Sequence, residues 1–201
     1  MSPLERKNIL IRSDAAFMIG TGHVVRMLAL ADHMRAKGAD VLFCTRNFPG
    51  NCNNFIKEKG YPIHVLKYDE NYTVNVEDEK SWLGGNEKSD CTETFGRKNF
   101  DVAIVDHYGV GAEWLNQAHK YTKIVVAIDD EARRILPCDL IINHNYFPDP
   151  SGLYKNSAAR TLIGPAYALL RPEFSDLRQK AQTRKMLKNI LIVMGGRDVY
   201  G

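Results

Sequence analysis

Ile11-Arg12-Ser13-Asp14-Ala15-Ala16-Phe17-Met18-Ile19-Gly20-Thr21-Gly22-His23 is the stretch whose reading decides the fold. Before it, Lys7–Ile11 is a short apolar run that predicts a first, buried strand. After it, Val24, Val25, Met27, Leu28, Leu30, Ala31 and Met34 recur at helical spacing until Gly38 stops the pattern. The segment is therefore a strand, a loop ending in Gly-Thr-Gly, and a helix with a histidine in its first turn. In an open α/β sheet, ligands bind at this place, the carboxyl end of the first strand. Two glycines let a ligand approach the backbone, and the helix N-terminus offers unpaired N–H groups to an anion. The positive end of the helix dipole favours a neutral imidazole, which is a competent general base. A histidine at such a turn also occurs as an ordinary polar surface residue, so the motif alone leaves the role of His23 open.

The same stretch argues against a dinucleotide. That fingerprint needs a third glycine where this chain has Val25, and an acid closing the second strand. The second strand, about residues 40–45, ends in Cys44-Thr45-Arg46, with its acid at the beginning.

Outward from this core, strand and helix alternate. Val41–Cys44 and Ile63–Leu66 read as strands around a helix opening at Pro49-Gly50-Asn51 and running to Lys59. Tyr68–Asn86 is polar and irregular, a candidate surface excursion or lid. Glu87–Lys98 and Ala112–Lys120 predict helices, and Val102–Val105, Ile124–Ile128, Leu140–Ile142 and Thr161–Gly164 predict strands. This spacing implies parallel pairing with right-handed crossovers, hence a doubly wound, Rossmann-like sheet from about residue 7 to 170 with the first strand central. Four strands end in polar clusters: Arg12-Ser13-Asp14, Asp106-His107-Tyr108, Asp129-Asp130-Glu131 and Asn143-His144-Asn145. In a parallel sheet these ends open on one edge and converge on one crevice. Pro172 opens a helix to about Lys185, and Lys188–Met194 reads as a further buried strand closing in Gly195-Gly196-Arg197-Asp198. The expected division is a domain over 1–187 and the opening of a second α/β domain over 188–201.

Composition bounds the partners. With 201 residues, 44% hydrophobic and 25% charged, the chain has the make-up of an ordinary globular α/β protein. A net charge of +3, with basic residues dispersed apart from Arg178–Lys188, points away from nucleic acid. No apolar run approaches the length of a membrane span, and the N-terminus lacks a signal peptide's apolar core, so a cytoplasmic location is expected. The four cysteines have no C-x-x-C spacing and read as reduced thiols. The six histidines form no metal-ligand pattern, and His107 and His144 read as hydrogen-bonded structural residues.

Arg12-Ser13-Asp14, Gly20-Thr21-Gly22-His23 with Arg26, Asp106-His107-Tyr108-Gly109, Asp129-Asp130-Glu131, Tyr167-Ala168-Leu169-Leu170-Arg171-Pro172-Glu173-Phe174 and Met194-Gly195-Gly196-Arg197-Asp198 occur in that order. Together they resemble the N-terminal half of the UDP-2,4-diacetamido-2,4,6-trideoxy-β-L-altropyranose hydrolase family of pseudaminic acid biosynthesis. They also resemble spore-coat polysaccharide proteins of the same superfamily. The resemblance implies a two-domain, glycosyltransferase-B-like architecture that removes UDP from an activated sugar by water attack at the anomeric carbon, with inversion. It implies His23 as general base, no metal and no cofactor, and UDP held mainly by the C-terminal domain, supplied in cis or by a partner chain. The candidate substrate contacts are Arg12, Ser13, Asp14, Gly20, Thr21, Gly22, Arg26, Tyr108, Asp129, Asp130, Gly195 and Gly196. Asp14, Tyr108, Asp129 and Asp130 are candidates either to orient His23 or to bind sugar hydroxyl and acetamido groups. A glycosyltransferase of the same fold, a non-catalytic nucleotide-sugar binding module and one partner of a split enzyme are the alternative readings.

Overall fold

The structure is a computed structural model that describes residues 3–192, apart from 73, 76, 97 and 184. In chain order the elements are β1 (Asn8–Ser13), α1 (Gly22–Ala36), β2 (Asp40–Arg46), α2 (Asn53–Glu58), β3 (Ile63–Leu66), α3 (Glu87–Phe95), β4 (Phe100–Asp106), α4 (Ala112–Ala118), β5 (Thr122–Ile128), β6 (Leu140–Asn143), β7 (Arg160–Ile163) and α5 (Pro172–Arg178). The strands form one 7-stranded sheet in the order β3-β2-β1-β4-β5-β6-β7. Every pairing is parallel. This is the expected doubly wound, Rossmann-like α/β fold. The first strand is interior, but β4 is the middle one, because three strands follow β4 on its far side.

Period-2 alternation sends successive strand side chains to opposite faces. Ile9 and Ile11 of β1, with Val41, Phe43, Ile104, Val126 and Ile128, pack under Val24, Met27, Leu28, Ala31 and Met34 of α1. Leu10, Ala103, Val105, Val125 and Ala127 pack on the other face under Cys91 and Phe95 of α3 and Trp114, Leu115 and Ala118 of α4. Right-handed crossovers produce this division. The β1-to-β2 connection runs one way along the sheet and the β3-to-β4 connection runs the other, so α1 and α3 lie on opposite faces. Helix α1 ends where Gly38 takes φ +90°, and its N–H donates to the Arg35 carbonyl at 2.9 Å.

A charged network is sealed inside the α3 face. Asp90 accepts from Arg12 Nε and Nη2 at 3.1 and 2.8 Å, from Arg46 Nη2 at 2.8 Å and from Trp114 Nε1 at 2.8 Å. Arg12 also donates to Asp14 Oδ1 at 2.6 Å. Burial opposes ionisation of both acids, yet Arg12 beside them holds both carboxyls below the usual range.

Two expectations near the end of the chain are corrected over the described residues. The helix expected to reach Lys185 stops at Arg178, and it buries none of its residues, so no tertiary packing extends it. Lys188–Ile192 pairs with no strand, and Ile190, Leu191 and Ile192 are exposed. A parallel strand is buried by neighbours on both sides and both faces, and this segment has none among the described residues. Residues 193–194, Gly195 and Gly196 lie outside the described residues.

Candidate functional site

In the strand order, β1 and β4 are neighbours whose outgoing chains diverge, β1 towards β2 and β4 towards β5. A crevice therefore opens between their carboxyl ends, where α/β sheets bind ligands. The loop leaving β1 is short and pinned. Ala16 and Gly20 form an isolated antiparallel bridge, and Gly20 N–H donates to the Ala16 carbonyl at 2.8 Å. Gly20 has φ +81°, which a side chain disfavours, and a Cβ added at Gly20 or Gly22 would meet nothing within 4 Å. Thr21 precedes α1 without a side-chain capping bond, so the helix begins with first-turn N–H groups that no side chain caps.

The register sets Ser13 directly beside Asp106. Both lie at the α1 face of the sheet, by the alternation of Ile9, Ile11 and Ile104. His23 and Arg26, one helical turn apart on α1, reach this strand end. His23 Nδ1 lies 2.7 Å from Asp106 Oδ1, and Arg26 grips the same carboxylate through Nε to Oδ2 and Nη2 to Oδ1, both at 2.5 Å. Burial would raise the Asp106 carboxyl, but hydrogen bonds from Arg26 and His23 hold it below its ordinary range. An ionised carboxylate cannot donate, so Nδ1 carries the proton. The 3.1 Å approach of Arg26 Nη2 to Nδ1 is then a contact between two donors to the same oxygen. That tautomer leaves Nε2 as the acceptor, and Nε2 has no hydrogen-bond partner among the described residues.

Arg26 continues the chain of contacts. Its Nη1 donates to Asp130 Oδ2 and Oδ1 at 2.7 and 3.0 Å, and Tyr108 donates its hydroxyl to Asp130 Oδ2 at 3.0 Å. The Tyr108 ring stands edge-on to His23, with centroids 4.7 Å apart. Burial and Asp130 push the Tyr108 phenol well above its ordinary range, so it remains a donor. His23, Arg26, Tyr108 and Asp130 thus form one connected group with Asp106 at its base. Two buried polar atoms near this group, Ser13 Oγ and His144 Nδ1, have no hydrogen-bond partner among the described residues. Groups of this kind cost about 1–3 kcal/mol each unless a ligand or water meets them.

The other expected contacts are placed differently. Arg12 and Asp14 are fully buried on the α3 face and committed to Asp90, His107 and the Arg46 backbone. Asp129 faces inward, accepting from Tyr154 Oη at 2.5 Å and from the Ala132 N–H at 2.8 Å. These three side chains hold the sheet edge together and do not line the crevice. His107 is the structural residue expected: Gly109 N–H donates to its Nδ1 at 2.9 Å, and its Nε2 donates to Asp14 at 3.0 Å. His144 lies 3.7 Å from Asp130. Asp106 is not one of the candidate contacts, although its cluster is one of the four polar strand ends. The signal that finds it is parity: Val102, Ile104 and Asp106 alternate with the residues that face α3. Among the described residues, no group of three or more His, Cys, Asp or Glu side chains is arranged to hold a metal ion.

No protein-family model matches the chain. Curated relatives do. The chain is 27% identical over 192 residues to the spore coat polysaccharide biosynthesis protein SpsG of Bacillus subtilis, covering 94% of this chain and 50% of that protein. It is 27% identical over 194 residues to the UDP-2,4-diacetamido-2,4,6-trideoxy-beta-L-altropyranose hydrolase of Campylobacter jejuni, covering 95% of this chain and 61% of that enzyme. The chain therefore spans between half and two thirds of the length of these relatives and is similar to them along almost all of its own.

Proposed function

We propose that this chain is the sugar-handling domain of a hydrolase that releases UDP from a UDP-activated diacetamido-trideoxy sugar. The observation that carries the reading is the Asp106 carboxylate 2.7 Å from His23 Nδ1, which fixes the tautomer and leaves Nε2 as an unpartnered base. Water held against the anomeric carbon gives its proton to Nε2 as its oxygen bonds to that carbon. The bond from the carbon to the UDP oxygen breaks, and UDP departs with the electron pair. Asp106 balances the imidazolium that forms. The N–H groups at the start of α1 and the open backbone at Gly20 and Gly22 suit the diphosphate side of the substrate. The proton acceptor in this reading is His23 of the chain itself. The similarity to the Campylobacter hydrolase supports the substrate class. Residues from about 188, including Gly195 and Gly196, are assigned in this reading to a second domain that grips UDP.

The test is UDP release by the two-domain protein from this UDP-sugar, with and without a sugar acceptor. His23→Ala should lower kcat by about 10²–10⁴-fold with KM changed little, since a general base acts on the transition state. A folded His23→Ala variant that keeps more than about a tenth of wild-type turnover overturns the assignment. UDP release that depends on the acceptor would make the enzyme a transferase.

A further inference from the structure

A second cleft opens on the far side of Tyr108. It has a volume of 580 Å³, within the range of about 300–1,000 Å³ usual for small-molecule sites. One wall is the 3-10 turn Glu79–Leu83, and the others are the loop after β4 and the Arg133-Arg134 pair after β5. The turn belongs to the long excursion 67–86 between β3 and α3, where sheet-to-helix loops usually take about 2–6 residues. The chain leaves β3, an outermost strand, and passes over the carboxyl edge as far as the end of β4.

The turn Glu79–Leu83 is docked there firmly. Leu83 is fully buried in the core, and Trp82 Nε1 donates to the Asn75 carbonyl at 3.0 Å. The Trp82 and Tyr108 rings meet edge to face at 5.9 Å. Gly109 packs backbone to backbone against the turn, since a Cβ there would lie 2.8 Å from the Glu79 carbonyl oxygen. Arg134 Nη1 donates to the Tyr108 and Val110 carbonyls and Nη2 to Asp129, leaving Nε without a partner among the described residues, and Glu87 accepts from the Gly111 and Trp114 N–H groups. What remains open is an indole flank, a phenol ring and the Glu79 carboxylate, while the exposed Arg133 pairs with Glu131 at 3.6 Å. Glu79 accepts no hydrogen bond from a described residue, and burial and Glu131 push its carboxyl up. The lining carboxylates, Glu77, Asp78, Glu79 and Glu87, outnumber Lys80, Arg133 and Arg134, so a phosphate is disfavoured. Apolar rings beside an unpaired acceptor suit a neutral ligand with C–H faces, hydroxyls and amide N–H groups.

We propose that this cleft takes the acetamido-substituted side of the sugar, away from the reacting carbon, with Trp82 as its platform and Glu79 as acceptor for its hydroxyl and amide protons. The inference rests on the sugar-nucleotide reading above. Tyr108 is shared by the two regions: its ring touches His23 at 4.7 Å and Trp82 at 5.9 Å, so a substituted pyranose over Tyr108 reaches both.

The test uses the 201-residue chain, N-acetyl-D-glucosamine as probe and UDP as comparator. Saturation-transfer NMR should show the acetamido methyl as the most strongly contacted group. Trp82→Ala should weaken probe affinity at least about tenfold and Glu79→Gln about threefold, while UDP affinity changes less than twofold. Trp114 is fully buried, so a probe-dependent change in tryptophan fluorescence reports Trp82. Trp82→Phe keeps a ring there, should retain most of the binding, and checks the result if Trp82→Ala misfolds. The proposal is overturned if the probe shows no transfer, if a folded Trp82→Ala variant binds it like wild type, or if UDP rather than the probe loses affinity. Because no turnover is read, these results stand apart from the His23 test.

Discussion

Asp106→Asn tests the central assignment with almost no change in volume. The carboxylate receives three donors: His23 Nδ1 at 2.7 Å and Arg26 Nε and Nη2 at 2.5 Å each. An amide offers one oxygen and one NH2 in the same place. With the NH2 towards His23, Nδ1 must become an acceptor, the proton moves to Nε2, and the base becomes a donor. With the NH2 towards Arg26 Nε, the tautomer survives but two donors face each other. In both orientations the imidazolium formed during reaction loses its counter-charge. The part of the loss that runs through His23 is bounded by what a general base supplies, about 10²–10⁴-fold or about 3–5 kcal/mol, and Arg26, the carboxylate's other partner, keeps its two bonds to Asp130. In a Ser-His-Asp triad the equivalent exchange costs about 10⁴-fold through the wrong tautomer. The assay is UDP release by the chain together with the second domain proposed above, with circular dichroism to confirm folding and ¹⁵N NMR of the histidine rings to read the tautomer. The expected result is a kcat loss in that range, KM nearly unchanged, and a double variant with His23→Ala no slower than His23→Ala alone. Two results would refute the reasoning: a folded Asp106→Asn variant keeping more than about a tenth of wild-type turnover, or losses that multiply in the double variant.

The remaining predictions concern the sealed network on the α3 face. Asp90→Ala removes the acceptor of Arg12 Nε and Nη2 and of Arg46 Nη2, leaving Arg12 only Asp14, and removing one partner of a buried pair costs about 3–5 kcal/mol. In a domain of this size that lowers Tm by roughly 6–20 °C, measured by scanning calorimetry, and a shift under about 3 °C contradicts the accounting. Stability should also fall on acidification in two steps. Burial lowers the His107 pKa despite Asp14, so the folded state prefers neutral His107, and stability present above about pH 6.5 is lost as pH falls towards the folded value. The depressed Asp14, Asp90 and Asp106 carboxyls contribute stability above about pH 4 that is lost below it. Urea titrations should show His107→Gln abolishing the first step and keeping the second, and a wild-type stability flat between pH 8 and 5 rules out the His107 step.

Strand and helix positions were legible in the sequence because they rest on local periodicity. The β1 stretch, the apolar stripe of α1 and the polar strand ends all stand where that patterning put them. A parallel doubly wound sheet follows from the alternation, and a site at its carboxyl edge follows from the fold. His23 was legible too, as the side chain in the first turn after the glycine loop. The tail was not: an apolar run such as Lys188–Met194 has strand character locally, but whether a strand forms depends on neighbours that the run does not encode.

Which acid serves His23 was decided by tertiary structure alone. Asp14 and Asp106 both stand at the ends of adjacent strands, and Asp14 is much nearer in sequence. Alternation nevertheless sends Asp14 with Leu10 and Arg12 to the α3 face, where Arg12 and His107 take it. Asp106 goes with Ile104 to the α1 face, where His23 and Arg26 stand. The sequence carries the parity of each strand, but not which face a helix will cover. That depends on the direction of each right-handed crossover, and so on a strand order that exists only once β4 has paired with β1.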